Sequence, residues 1–320
     1  MKIDRFVVAI SVSILVAYFF PFWGSENSPI PLDVFGTIGI SFIFFFYGLK
    51  LSPHKIKEGL QNWKLHVLVQ ASTFLLFPLI VLSVKPLIST EEGKSLWLAF
   101  LFLAALPSTV SSSVVMVSIA KGNIPAAIFN ASISGLIGIV ITPLWMELFI
   151  PQTKGDFDLG AIYVKLIVSI LLPVILGMLL HRFGRTFAAK YKNQLTNFDK
   201  SIIILIIYKS FAESFERQIF SSISILDLLI ITGLIIVLFY GVYVLTGFVA
   251  KLLKFNKEDQ ITAQFCGTKK SLVHGTVFSE ILFPANFPVA LILLPLMLFH
   301  AIQIFIISII AAKLGQRNSN

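Results

Sequence analysis

Apolar stretches the length of membrane-crossing helices run through the whole chain, separated by short polar segments, none long enough for a soluble domain. A bilayer core of roughly 30 Å is crossed by about 20 helical residues. On that template ten spans are predicted, at residues 6–23, 34–50, 65–84, 96–120, 124–148, 159–181, 201–217, 224–250, 259–283 and 287–312. Eight are continuous. The fourth, LWLAFLFLAALPSTVSSSVVMVSIAKG, is interrupted at Pro107, which removes a backbone donor and steers Leu106 out of the helical region. The ninth, DQITAQFCGTKKSLVHGTVFSEILFP, is interrupted at Gly267 and the polar run TKKS.

The two interruptions occupy matching places, each in the fourth span of a group of five. Five is odd, so the second group enters the membrane upside down relative to the first. Paired broken helices in an inverted repeat point to a binding site at the bilayer midplane, where half-helix ends and freed backbone groups meet. Such irregular backbone survives at that depth only where protein or water covers it. The expected fold is all-α: a polytopic membrane protein of ten transmembrane helices in two inverted five-helix repeats, residues 1–150 and 159–313, with spans 4 and 9 broken and crossing.

Composition agrees with lipid as the solvent. Hydrophobic residues make up 57% of the 320 positions and charged residues 13%, about half the usual share for a soluble domain. The net charge of +9 therefore reads as basic loops on a membrane surface, with no nucleic-acid partner expected. Of the 25 Lys and Arg, 17 fall on one side of the ten-span arrangement, 4 on the other and 4 (Lys165, Lys209, Lys269, Lys270) within spans. That bias predicts both termini in the cytoplasm of a multi-pass inner or plasma membrane protein. The first span ends in FPFWGSENS with no small-x-small cleavage site, so it is read as a span and not a leader. One cysteine excludes an internal disulfide and a multi-cysteine metal cluster.

Lys269 and Lys270 are the residues that most need explanation. A lysine at the bilayer centre costs on the order of 2.5–3.5 kcal/mol. If the first half-helix ends near Gly267, its carbonyl end compensates part of that cost. The hydroxyls around the breaks (Thr109, Ser111, Ser112, Ser113, Thr268, Ser271) can line a site or bond their own backbone. His274, one turn beyond Lys270, can relay protons or serve packing. Glu213 is expected to pair with Lys209 one turn earlier, with substrate gating as the other role open to it. Glu147 and Glu280 read as interfacial, and His66, His181 and His300 as structural. The glycines of GTIGISF and ISGLIGI suit close helix packing.

Together FCGTKKSLVHG, ALPSTVSSSV, KGNIPAAIFNASISGLIGIVITPLW and FFYGLKLSPHKIKEGLQNWKLHVLVQ resemble the bile-acid:sodium symporter superfamily, in the branch near solute carrier family 10 member 7 and its bacterial homologues. The resemblance covers nearly the whole chain. It implies a panel domain of spans 1, 2, 6 and 7 and a core of spans 3, 4, 5, 8, 9 and 10, with spans 4 and 9 crossing at their breaks. By the resemblance, the family's first sodium site falls on Ser112, Ser113 and Asn130 and the span-three glutamine of its second falls on Gln70, all oxygen-bearing as a hard cation requires. The family's glutamate and glutamine of span nine fall on Cys266 and Lys270. The resemblance thus implies a weakened first sodium site and a second one replaced by the Lys270 ammonium, which can also carry a proton.

The expected function is a secondary transporter, with a small organic anion as substrate and sodium or a proton as the coupling ion. No catalytic residue, cofactor or nucleotide-binding loop is expected. Two other readings stay open at this stage: a channel or calcium-related regulatory sensor, and an intramembrane hydrolase pairing Ser112 or Ser271 with Lys270.

Overall fold

A computed structural model describes residues 5–25, 28–50, 62–109, 111–150, 164–216, 218, 224–283 and 287–316. The charge assignments at Lys2, Lys55, Lys57, Lys154, Arg217 and Arg317 lie outside them, as does the side chain of Ser111. The regular structure of the described residues is helical, with no strand among them. Thirteen helices follow in order: α1 (Arg5–Phe19), α2 (Leu32–Lys50), α3 (Trp63–Leu87), α4 (Glu91–Ala105), α5 (Ser111–Ile119), α6 (Ile124–Glu147), α7 (Val164–Leu179), α8 (His181–Lys190), α9 (Lys192–Glu216), α10 (Ile225–Leu252), α11 (Lys257–Gly267), α12 (Leu272–Leu282) and α13 (Val289–Gly315).

Five of these (α2, α3, α6, α10 and α13) are long and apolar enough to cross a membrane; α7 with α8 makes a bent sixth. Their surfaces carry large side chains open to the surroundings, such as Phe35, Val237 and Leu229. In α10 only 28% of the most apolar window is buried inside the protein. An apolar helix with so little cover is stable in lipid and not in water. The chain is a multi-pass membrane protein.

The chain divides into two compact units. One comprises Met1–Pro53, Pro151–Ile225 and Thr276–Leu293; the other His54–Ile150, Leu226–Gly275 and Leu294–Asn320. In the first, α2 crosses α7 at Gly48 and Gly177, where a Cβ on either residue would collide with the backbone of the opposite helix. Ser13 of α1 donates to the Ile204 carbonyl of α9, and Tyr208 of α9 to that of Phe20.

The sixth predicted span ends close to its expected bound, and it is the segment after it that departs from expectation. The span's apolar run ends at Leu180, and the chain bends by 96° into α8. His181 fixes the bend through a 2.8 Å hydrogen bond between its Nδ1 and the Leu49 carbonyl at the end of α2. Residues 181–190, read from sequence as part of a basic loop, are a helix of their own.

In the second unit, α6 and α11 begin at asparagine caps: Asn123 accepts from Ala126 N and Asn256 from Asp259 N. Asn62 precedes α3. Asp259 is buried where these three helix starts meet. Its carboxylate accepts from Asn62 Nδ2 at 2.9 Å and Asn123 Nδ2 at 2.8 Å. Helix N-termini carry partial positive charge, so the buried carboxylate is held electrostatically as well as by its donors.

Candidate functional site

Within the second unit two helices stop mid-way and meet. Helix α4 ends at Ala105, and α5 starts at Ser111. Helix α11 ends at Gly267, and α12 starts at Leu272. The breaks are joined in both directions. Ser108 Oγ donates to the Cys266 carbonyl at 2.7 Å, and Ser271 N donates to the Pro107 carbonyl at 2.9 Å. The Pro107 ring packs on α6 at Gly138, where any side chain would strike it.

Each carbonyl from Leu103 to Pro107 can be traced to a donor, as buried backbone requires. Leu103 accepts from Leu106 N at 3.4 Å and Ala105 from Thr142 Oγ1 at 2.8 Å. Ser108 N, which would have served Ala104 in an unbroken helix, turns to Ser134 Oγ. The carbonyls of Ala104 and Leu106 are left for Lys270 Nζ, at 2.5 and 2.9 Å.

A third acceptor comes from α3. A π turn at Ser72–Leu76 sends Phe77 N to the Ser72 carbonyl. In that register the next residue, Pro78, would serve Thr73, but proline has no N–H. The Thr73 carbonyl therefore lacks a backbone donor, and Lys270 Nζ fills the place at 2.7 Å. The ammonium also sits 4.2 Å from the centre of the Phe77 ring, a cation–π contact.

Lys270 is completely buried. Its three N–H donors match three carbonyls, as a bare cation would be coordinated. Charge-assisted hydrogen bonds contribute about 1.5–3 kcal/mol each, so three exceed the insertion cost of one lysine. The backbone of Lys270 is held as well. Its N donates to Gln303 Oε1 at 2.8 Å, and its carbonyl accepts from Gln303 Nε2 at 2.9 Å. Gln303 had no signal in the sequence beyond being a polar residue in the last span.

Lys269, its neighbour, is also completely buried, but its Nζ has no hydrogen-bond partner among the described residues. The two lysines thus differ in kind. The remaining expected residues form smaller groups. Thr109 Oγ1 lies 2.8 Å from Ser112 Oγ and 3.0 Å from Ser113 Oγ. Gln70 Nε2 donates to Asn130 Oδ1 and to its carbonyl, both at 3.2 Å. Thr268 Oγ1 caps the Gln264 carbonyl, Ser271 Oγ lies 2.9 Å from His274 Nδ1, and the Cys266 thiol is buried.

Oxygen donors for a sodium ion are present at Thr109, Ser112, Ser113, Asn130 and Gln70. The Gln70 Oε1 is a buried oxygen with no donor among the described residues, which suits a cation. The place at Lys270 is filled by an ammonium and does not suit one. Nor is Lys270 poised to activate Ser112 or Ser271, since its donors all go to carbonyls. Among the described residues no cluster of His, Cys, Asp and Glu could hold a metal ion.

The first unit holds a separate charge cluster. Lys209 forms ion pairs with Asp33 and Glu280, the latter at 3.6 Å, while Ser210 Oγ donates to Glu280 Oε1 at 3.2 Å. Asp33, Lys209 and Glu280 line a cavity of about 200 Å³ together with Lys165 and Ser169. Glu280, read from sequence as interfacial, is a half-buried member of this network. The partners of Lys209 come from α2 and α12, and Glu213 adds a further negative charge from its own helix.

Comparison with known proteins decides the family. The SBF-like CPA transporter family model matches residues 4–316. The chain belongs to this family. It is similar to the uncharacterized protein PA2026 of Pseudomonas aeruginosa, 36% identical over 99% of this chain and 94% of that one. It is 34% identical to the Escherichia coli protein named "Putative symporter YfeH", over 97% and 92% of the two chains. It is 29% identical to the sodium/bile acid cotransporter 7 of Danio rerio, over 96% and 92%. These relatives support the bile-acid:sodium symporter branch, and the chain is a membrane transporter of that family.

Proposed function

We propose that the chain is a secondary transporter that moves a small organic anion by alternating access, with the Lys270 ammonium in place of the second sodium ion. The observation that carries this reading is the seat of Lys270 Nζ on the Thr73, Ala104 and Leu106 carbonyls at the crossing of two broken helices. A tethered cation there neutralises the carbonyl ends that a free ion would otherwise neutralise. It also leaves at most one sodium to travel with the substrate, through the hydroxyls of Thr109, Ser112 and Ser113 and the amide of Asn130. Coupling is then by a proton, a single sodium or no ion.

Lys269 takes the complementary role. A buried ammonium with no hydrogen-bond partner among the described residues is costly, and the anionic group of a substrate supplies one. Thr268, Ser271 and His274 complete the polar side of this site, and Glu213 acts as a gating charge.

The architecture behind this reading is ten spans in two inverted repeats, with both termini in the cytoplasm of the inner or plasma membrane. The first compact unit favours a panel of spans 1, 2, 6 and 7 through residues 1–53 and 151–225, although it also takes in residues 276–293 of spans 9 and 10.

Counterflow and uptake of named organic anions (taurocholate, benzoate, citrate) into proteoliposomes, with sodium and pH gradients imposed separately, test it. The reading expects carrier-type exchange of an anion, with a sodium Hill slope of about 1 or no sodium dependence. Cooperative coupling to two sodium ions, or flux without counterflow as in a channel, contradicts it.

A further inference from the structure

The short helix α8, HRFGRTFAAK, has three distinct faces. His181, Gly184 and Ala188 pack on the end of α2. His181 bonds the Leu49 carbonyl, a Cβ on Gly184 would strike the Leu49 side chain, and Ala188 shares a buried cluster with Leu49 and Leu195. The second face is Phe183 and Phe187, with 79% and 49% of their surface open. Arg182 and Arg185 make the third face and are exposed. At 100° per residue the phenylalanine pair and the arginine pair point about 150° apart.

Two further facts say what covers the open faces. Helix α8 leaves the end of α7 at 96°, so an α7 that crosses the membrane directs α8 along the membrane surface and not through it. Moreover, the sequence holds no acidic residue between Asp158 and Asp199, while Arg182, Arg185, Lys190 and Lys192 lie within that stretch. The Lys50 ammonium nearby is already bridged to Asp199 at 3.6 Å. A helix with exposed aromatics on one side and, on the other, cations with no ion-pair partner among the described residues fits an anionic lipid surface.

We propose that α8 is an interfacial helix that binds anionic phospholipid headgroups through Arg182 and Arg185, with Phe183 and Phe187 in the acyl region below. Phosphate is the recognised group, and arginine can hold it with two parallel hydrogen bonds. The lipid anchors the α2–α7 corner on that side of the membrane.

The test uses the full chain in detergent, titrated with phosphatidylglycerol, with phosphatidylcholine, or with inorganic phosphate at equal concentration, and follows thermal unfolding. Phosphatidylglycerol should raise the melting temperature by several degrees, and the other two should not. The Arg182→Gln/Arg185→Gln variant should lose that selective rise while melting like the parent in phosphatidylcholine. The Arg182→Lys/Arg185→Lys variant, which keeps the charge, should retain most of the rise and guards against misfolding of the first. Equal effects of the two lipids, an equal effect of inorganic phosphate, or a rise undiminished in the glutamine variant overturns the proposal. So does a face closed by a second copy of the chain, seen as dimerisation that the Phe183→Ser/Phe187→Ser variant abolishes.

Discussion

Ser108 and Cys266 lie 158 residues apart in sequence, yet the hydroxyl of one donates to the carbonyl of the other at 2.7 Å. Each sits at the edge of an interrupted helix, so this bond and the Ser271–Pro107 bond beside it hold the crossing together. Ser108→Ala leaves the buried Cys266 carbonyl without that donor. Orphaning such a group costs about 1–3 kcal/mol, so the variant should melt several degrees below the parent in detergent.

The two adjacent lysines should respond oppositely to removal of their charge. Lys270→Met strands three buried carbonyls and should destabilise by about 3 kcal/mol or more, seen as a large drop in melting temperature. Lys269→Met removes a buried ammonium that has no hydrogen bond among the described residues. It should melt at or above the parent temperature while anion uptake is lost. Equal destabilisation by both would mean that Lys269 has a structural partner of its own.

Gln303 should matter to the site without contacting a transported solute. Its amide pairs with both backbone groups of Lys270. Gln303→Leu orphans both, at about 1–3 kcal/mol each. Gln303→Glu keeps the acceptor and loses the donor, so its melting temperature should fall between parent and leucine variant.

At the other end of the same unit, Asp259 ties together the starts of α3, α6 and α11. Asp259→Asn keeps the shape and replaces one acceptor oxygen with a donor that faces an asparagine N–H. Hydrogen bonds to a charged group contribute about 1.5–3 kcal/mol, and a loss of that size should appear in thermal unfolding, with Asp259→Ala lower still.

Pro107, Gly267 and the run TKKS made both interruptions legible in the sequence. Proline removes a helix donor, glycine loosens the backbone and buried charge is costly in lipid, so each marks the apolar span that contains it. The partners of Lys270 were not legible. The Thr73 carbonyl is free only because a π turn shifts the helix register by one residue so that Pro78 falls where a donor is needed, and sequence periodicity does not report such a shift. Helix α8 was hidden for another reason. Ten residues are too few to cross a bilayer, and five basic residues between 181 and 200 read as a loop, although Phe183 and Phe187 stand one turn apart. Glu280 looked interfacial because its nearness to a span end said nothing of Lys209 on a distant segment.

The central claim is that Lys270 stands where a free cation could bind, and shortening that side chain tests it most directly. Lys270→Ser leaves the Thr73, Ala104 and Leu106 carbonyls facing a space the size of an ammonium. Thermal unfolding of purified parent and variant is followed while sodium, ammonium or choline chloride is titrated. The account predicts that sodium or ammonium selectively restores stability to the variant, with choline ineffective and the parent unresponsive at this site. A variant that no small cation stabilises beyond the effect of choline would contradict it.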